Sequence, residues 1–311
     1  MVLAVTVKAP SSTANLGSGF DVFGLGLDAF YDNVTITKKG KGVRIVDSDG
    51  TPSNELQNTA GIVVGKMATE YGIKQGVEIS IKKGVPAGFG LGSSAASAAA
   101  AAIAFDRLFK LNLEPDTLVR HAGQGERASA GTIHYDNVAA SVLGGFVIIR
   151  DKPLRIMRIE APKDLALCVA VPHIDVPKKK TKVSRSILSR NVSFEDCTKN
   201  ISNAASMAAA FAVKDSEVIG GAVNDVIVEP IRKTKIPGFE KIRKGVMEAG
   251  AYGFTISGAG PSVIAFSTTR ADLDGICNAM EKGFLSSKTK CTTIICRPSA
   301  GAIRKKGSRK H

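Results

Sequence analysis

The chain has 311 residues, 44 % of them hydrophobic and 23 % charged, enough to bury a substantial core in one large domain or two smaller ones. No run of about 18 apolar residues occurs, and the opening MVLAVTVKAPSS lacks the charged lead, apolar segment and cleavage site of a secretory signal, so a cytoplasmic protein with no membrane partner is expected. The formal charge of +14 favours acidic ligands, but five positive charges lie in RKKGSRKH at 304–311, a solvated, mobile end on this reading; without them 37 basic residues face 28 acidic ones.

Alternating Leu3, Val5 and Val7 open a strand, and Val34–Lys38 and Val43–Val46 read as two more. Ile62, Val63, Met67 and Ala68 or Tyr71 at helical spacing place a helix over Asn58–Tyr71. Val77, Ile79 and Ile81 alternate with Glu78, Ser80 and Lys82 in a half-buried strand, which runs into PAGFGLGSSAAS at 86–97 and a helix from Ser93 to about Lys110. A second helix starts near Pro115. GGFVIIR (144–150) and ALCVAVP (166–172) follow as strands, and the charged connection 151–164 between them is the candidate domain boundary. Pro172–Arg190 begins as a loop, Ser202–Val213 and Asp215–Val223 read as helices, and AYGFTIS turns through GAGPS into VIAFS. A helix over Asp272–Lys282 and a last strand, CTTIICR, complete an α+β or mixed α/β protein of two lobes without tandem repeats.

The glycine-rich stretch carries the first chemical signal. From Ser93 to Ala104 no residue is charged, so the helix N-terminus lacks the acid its amides and dipole ordinarily favour. That suits an external anion: glycines at 88, 90 and 92 let backbone approach closely, and Ser93 and Ser94 add hydroxyl donors without negative charge. The stretch alone also fits a serine-capped buried helix after a glycine turn. It is neither G-x-x-x-x-G-K-[ST] nor G-x-G-x-x-G, which disfavours the commonest phosphate and dinucleotide folds. The cysteines at 168, 197, 277, 291 and 296 and the histidines at 121, 134, 173 and 311 form no zinc or redox spacing, leaving a hard cation on oxygen ligands open.

Three distant segments change the odds together: KAPSSTANLGSGFDVFGLGL (8–27), PAGFGLGSSAAS (86–97) and GFTISGAGPSVIAF (253–266). In these the chain resembles the GHMP family of small-molecule kinases, up to about residue 300, and the first segment points to the homoserine branch. The resemblance implies an N-terminal ribosomal-S5-domain-2-like lobe over 1–160, a ferredoxin-like lobe over 161–300, a basic tail over 301–311, and ATP in a cleft beside the middle motif. It implies that Pro86, Gly88, Gly90, Leu91, Gly92, Ser93 and Ser94 wrap the triphosphate, that Ser94 and Glu126 hold Mg²⁺, and that Asn58 meets the nucleotide's base or sugar. The implied acceptor site for L-homoserine is Asn15, Asp21, Asn137, Arg185 and Arg232: oxygens for an ammonium, guanidiniums for a carboxylate.

Taken singly, Asn58 would be a helix cap, Glu126 a surface charge, Asn15 a turn residue, Asp21 half of a surface pair and either arginine a solvated charge. Asn137 orients the acceptor, no firm general base is implied, and Asp136, read in extended backbone, is expected to face away from the acceptor. Two rivals remain: a kinase for mevalonate or another small alcohol, and a basic RNA-binding protein. The second is disfavoured by 5 % aromatic residues and no Trp, and no nucleic-acid partner is expected. Homodimers occur in the family, but no stripe in this chain identifies an interface.

Overall fold

A computed structural model describes residues 3–130, 134–150, 152–177, 184–189 and 191–303, with backbone alone over 127–130. The tail reading at 304–311 lies outside the described residues. In the first lobe β1 (Ala4–Ala14) runs antiparallel along β2 (Phe23–Lys38), whose other edge is shared. Phe23–Leu25 pair with β5 (Phe146–Arg150), and Asn33–Lys38 pair with β4 (Val77–Lys82). The parallel strand β3 (Val43–Asp47) extends the sheet beyond β4, and β6 (Arg155–Ile159) extends it beyond β5.

β2 starts well before the expected Val34 because Gly24 and Gly26 mask its first half. A Cβ at Gly24 would lie 2.4 Å from Asp136 O and one at Gly26 2.8 Å from Ala140 O. Those glycines let α4 (Asp136–Leu143) lie against the strand backbone. β6 falls in the stretch read as a charged connection; its outward Arg155 and Met157 are what an edge strand presents to solvent.

The helices α1 (Thr59–Glu70), α2 (Ser93–Phe109) and α3 (Pro115–Ala130) complete the lobe with α4. Val34, Ile36, Ile79 and Ile81 are buried while Thr35, Thr37, Glu78 and Ser80 are half-exposed, as period-two alternation requires. α2 is central: Ala95 through Phe105 are all buried, and small side chains let neighbouring helices and β1 approach its backbone.

The second sheet is wholly antiparallel, in the order β10 (Cys291–Cys296), β7 (Leu165–Pro172), β9 (Val263–Thr268), β8 (Gly253–Ile256). Between β7 and β8 the chain forms α5 (Phe194–Val213), α6 (Ser216–Gly221), α7 (Glu229–Arg232) and α8 (Phe239–Glu248); α9 (Leu273–Leu285) joins β9 to β10. In chain order of its four strands this sheet reads 4-1-3-2, the ferredoxin-like arrangement.

β7 is buried on both faces. Leu165, Leu167, Val169 and Val171 join a core shared with the first lobe, in which the Phe146 and Phe211 rings stack at 3.9 Å. Cys168 and Ala170 face a second core with Phe239, Ile242 and Val246 of α8 and Ile276, Met280 and Phe284 of α9. After β10 the chain returns to the first lobe: Asp28 N donates to Arg297 O at 3.0 Å, Ser299 N to Gly26 O at 2.8 Å and Ala302 N to Ser141 O at 3.0 Å. No described helix is long and apolar enough to cross a membrane.

Candidate active site

Both lobes line one cleft of about 530 Å³. Its floor is the glycine loop between β4 and α2. Gly88, Gly90 and Gly92 all have positive φ, and Gly92 caps α2 in the left-handed region with no side chain covering the first turn. No acid occupies that turn either. The close approach is real at Gly90, where a Cβ would lie 2.1 Å from Ser257 O of the second lobe. Ser257 Oγ donates to Gly90 O at 2.9 Å, so the turn at 257–262 locks onto the loop, and Gly258 and Ala259 line the cleft.

Behind the loop lies a buried network that sequence reasoning missed. Lys83, at the end of β4, pairs with the fully buried Asp32 of β2 and donates to Ser97 Oγ at 3.0 Å and Ser93 O at 2.9 Å. Asp32 Oδ1 accepts from Gly84 N and Val85 N, both at 3.0 Å, and Oδ2 from Ser97 Oγ at 2.7 Å. Burial pushes the Lys83 pKa down while Asp32 pushes it up. Lys83 also lines the cleft, beside the glycine loop. Its sequence signal was weak, a lysine at a strand end 51 residues from its partner.

Around the cleft Asn15, Phe20, Asp21, His134, Asp136, Asn137, Arg185 and Arg232 converge. Arg185 pairs with Asp21 Oδ1 and lies 3.2 Å from His134 Nδ1. Arg232 NH1 and Asn15 Nδ2 both donate to Gly258 O, at 3.2 and 3.0 Å. Burial, then the neighbouring Arg185, lowers the Arg232 pKa to about 10. Burial likewise lowers that of His134, with Arg185 acting in the same direction. Ser12 Oγ donates to Asn137 Oδ1 at 3.0 Å, fixing the amide beside Gly92.

Several expectations need correction. Asp136 and Asn137 open a helix rather than an extended run, so consecutive side chains are not opposed and both line the cleft. Asp136 is buried, its Oδ1 accepts from Asn137 N at 2.7 Å, and burial raises its carboxyl to about 7. Ser93 lines the cleft, but its hydroxyl proton goes to Val85 O at 2.9 Å. Asn58 spends its amide as a cap: Oδ1 accepts from Ala60 N and Gly61 N, and Nδ2 donates to Thr51 Oγ1 and Pro52 O. It lines the cleft, and its amide also shapes the 51–52 wall. Pro86 and Leu91 do not line the cleft; Leu91 is fully buried in the core. Gly88, Gly90, Gly92, Ser94, Glu126, Asn15, Asp21, Asn137, Arg185 and Arg232 do line it.

For a magnesium ion the donor set is chemically suitable. The Glu126 carboxylate, only 8 % exposed, and the Ser94 hydroxyl are both hard oxygens on the cleft wall. Among the described residues no group of three or more His, Cys, Asp or Glu could hold a metal without such help.

Two family models match the chain, the GHMP kinases N terminal domain over 58–145 and the GHMP kinases C terminal domain over 207–285, and its α+β fold is that of this class. A homoserine kinase of Methanopyrus kandleri is 43 % identical over 301 residues, 96 % of this chain and 98 % of that protein. One of Thermoplasma volcanium is 42 % identical over 84 % of each. The crystal structure of homoserine kinase from Cytophaga hutchinsonii superposes with a TM-score of 0.91 at 35 % identity, covering 97 % of both chains. A mevalonate kinase of L. major shares the fold, with a TM-score of 0.69 at 18 % identity over 96 % of this chain and 97 % of that one. The chain belongs to the homoserine kinase family of GHMP kinases.

Proposed function

We propose that the chain transfers the γ-phosphoryl group of ATP to the side-chain hydroxyl of L-homoserine, giving O-phospho-L-homoserine and ADP, in the cytoplasm and on the route to threonine. The observation that carries this reading is the gathering of Asp21 and Asn15 with Arg185 and Arg232 in one cleft whose floor is an acid-free glycine loop. A zwitterionic acceptor needs an acid or amide oxygen for its ammonium and guanidiniums for its carboxylate; mevalonate, a carboxylate without an amine, offers no cation to the Asp21 carboxylate.

In this reading residues 1–160 carry the nucleotide and 161–300 close over it. The loop amides and the α2 N-terminus receive the phosphates, with Lys83 bracing the loop through Ser93 O and Ser97 Oγ. Asn137 orients the acceptor hydroxyl, whose oxygen attacks the γ-phosphorus as the bond to the ADP oxygen breaks; the hydroxyl proton passes to an oxygen of the transferred phosphoryl group. Glu126 and Ser94 would hold Mg²⁺, which supplies charge neutralisation at the phosphates when bound. ADP release measured with Mg²⁺ and ATP across homoserine, mevalonate, shikimate and galactose tests the reading; turnover of mevalonate in preference to homoserine overturns it. Tight, steeply salt-dependent RNA binding without ATP turnover would instead favour the RNA-binding reading.

A further inference from the structure

Phe20 lies in the cleft between the two arginines, and no other phenyl or phenol ring lines it among the described residues. The guanidinium carbons of Arg185 and Arg232 stand 5.1 and 5.2 Å from the centre of its ring, both within cation–π range. Two like charges so placed repel, and the Nε atoms of both are buried without an acceptor among the described residues. Asp21 pairs directly with Arg185, and His134 Nδ1 lies 3.8 Å from the same carboxylate oxygen. The Phe20 ring is a contact that Arg185 and Arg232 both make.

The ring itself is held rigidly. Asn15, Leu16 and Asp21 all adopt positive φ, and Asp21 N donates to Asn15 Oδ1 at 3.1 Å across the loop that presents Phe20. Leu16 is fully buried, Ser18 Oγ donates to Ala222 O at 3.3 Å, and a Cβ at Gly17 would lie 1.7 Å from Val223 O, so the loop is clamped on the second lobe. Such backbone is costly unless its surroundings over-determine it.

We propose that Phe20 is the positioning residue for the acceptor's carboxylate: contact with its ring holds the Arg185 and Arg232 guanidiniums in place to grip that group, and so sets the preference for amino-acid alcohols over alcohols lacking a carboxylate. This rests on the acceptor reading above and assigns the ring no contact with the reacting atoms.

The test uses the two halves of homoserine as competitors of its phosphorylation: 4-hydroxybutyrate, which keeps the carboxylate, and 3-aminopropan-1-ol, which keeps the amine. In Phe20→Leu the KM for homoserine and the inhibition constant of 4-hydroxybutyrate rise about tenfold, that of 3-aminopropan-1-ol changes less than about twofold, and the KM for ATP is unchanged. Phe20→Met, which keeps the bulk without the ring, gives the same split should the leucine variant melt early, and Phe20→Tyr restores wild-type values. Equal weakening of both competitors, or of neither, overturns the proposal. Wild-type protein that fails to phosphorylate homoserine overturns the acceptor reading itself, a result visible before any variant is made.

Discussion

Burial holds the Asp136 carboxyl at about 7, against the hydrogen bond from Asn137 N, which favours the ionised form. The folded chain thus keeps a proton on Asp136 at pH values where the unfolded chain has lost it. The sign follows: this contribution to stability is fully present below the unfolded value of 3.8 and is lost as pH rises from there through about 7. Asp136→Asn keeps the acceptor for Asn137 N and removes the titration. Chemical denaturation should show the variant more stable than wild type at about pH 8, by on the order of 2–4 kcal/mol, with the advantage vanishing near pH 4. A carboxyl that titrates near 7 and lines the cleft also has the profile of a general base, so its kinetics matter. If the hydroxyl proton leaves with the phosphoryl group, Asp136→Asn retains kcat within about tenfold, while Asn137→Ala loses about a hundredfold or more. A loss on the order of 10³ in Asp136→Asn, together with the disappearance of a kinetic pKa near 7, would assign the proton to Asp136 instead.

At the scale of elements, four-residue α7 positions Arg232, and both its ends are pinned. Asp225 Oδ1 accepts from Ile227 N at 2.8 Å, Val228 N at 3.0 Å and Asn200 Nδ2 at 2.9 Å, and Oδ2 accepts from Glu229 N at 3.0 Å. Glu229 pairs with Arg243 and accepts from Thr255 Oγ1 at 2.8 Å, tying α7 to α8 and β8. Arg232 closes the chain of contacts on Gly258 O. Asp225→Ala should therefore raise the KM for homoserine about tenfold with the KM for ATP unchanged, and lower stability by about 2 kcal/mol. Loss of both affinities in parallel would mean that Asp225 supports the lobe rather than the arginine.

Nothing in VNDVIVEPIRK announced this strut, because its hydrogen bonds run between side chains and a non-repetitive backbone. α8 was more legible than it was read: Phe239, Ile242 and Val246 have helical spacing and are buried. α2 and β4 followed from their pattern because alternation and an uncharged alanine run are local signals. α4 did not, although Gly144 and Gly145 mark its end; its Asp136 and Asn137 read as extended, and its burial depends on two glycines in β2 more than a hundred residues away. The acceptor residues were legible only as a set, through motif resemblance, since Asp21 and Arg185 are 164 residues apart.

Away from the cleft the two lobes are joined by the core that β7 shares with the first lobe and by the returning segment after β10. Among the described residues that segment makes seven backbone or side-chain hydrogen bonds to the first lobe: Asp28 N to Arg297 O, Arg297 N to Asp28 Oδ1, Ser299 N to Gly26 O, Gly145 N to Ser299 O, Arg107 NH2 to Ala302 O, Ala302 N to Ser141 O and Ile303 N to Val142 O. The last two grip the C-terminal half of α4, whose first turn carries Asp136 and Asn137. Stability and site geometry are thus coupled through one helix. A chain ending at Cys296, compared with one ending at Ile303, loses these bonds and uncovers the buried Leu27 and Gly26, a change of several kcal/mol at about 1 kcal/mol per bond. Its Tm should fall by on the order of 10 °C, and at a temperature where both chains are folded its kcat should fall with little change in the KM for ATP, because α4 moves while the glycine loop stays braced by Asp32 and Lys83. Equal Tm for the two chains would show that the returning segment adds nothing to the joining of the lobes; a lower Tm with unchanged kcat would separate the segment's structural role from the placement of Asn137.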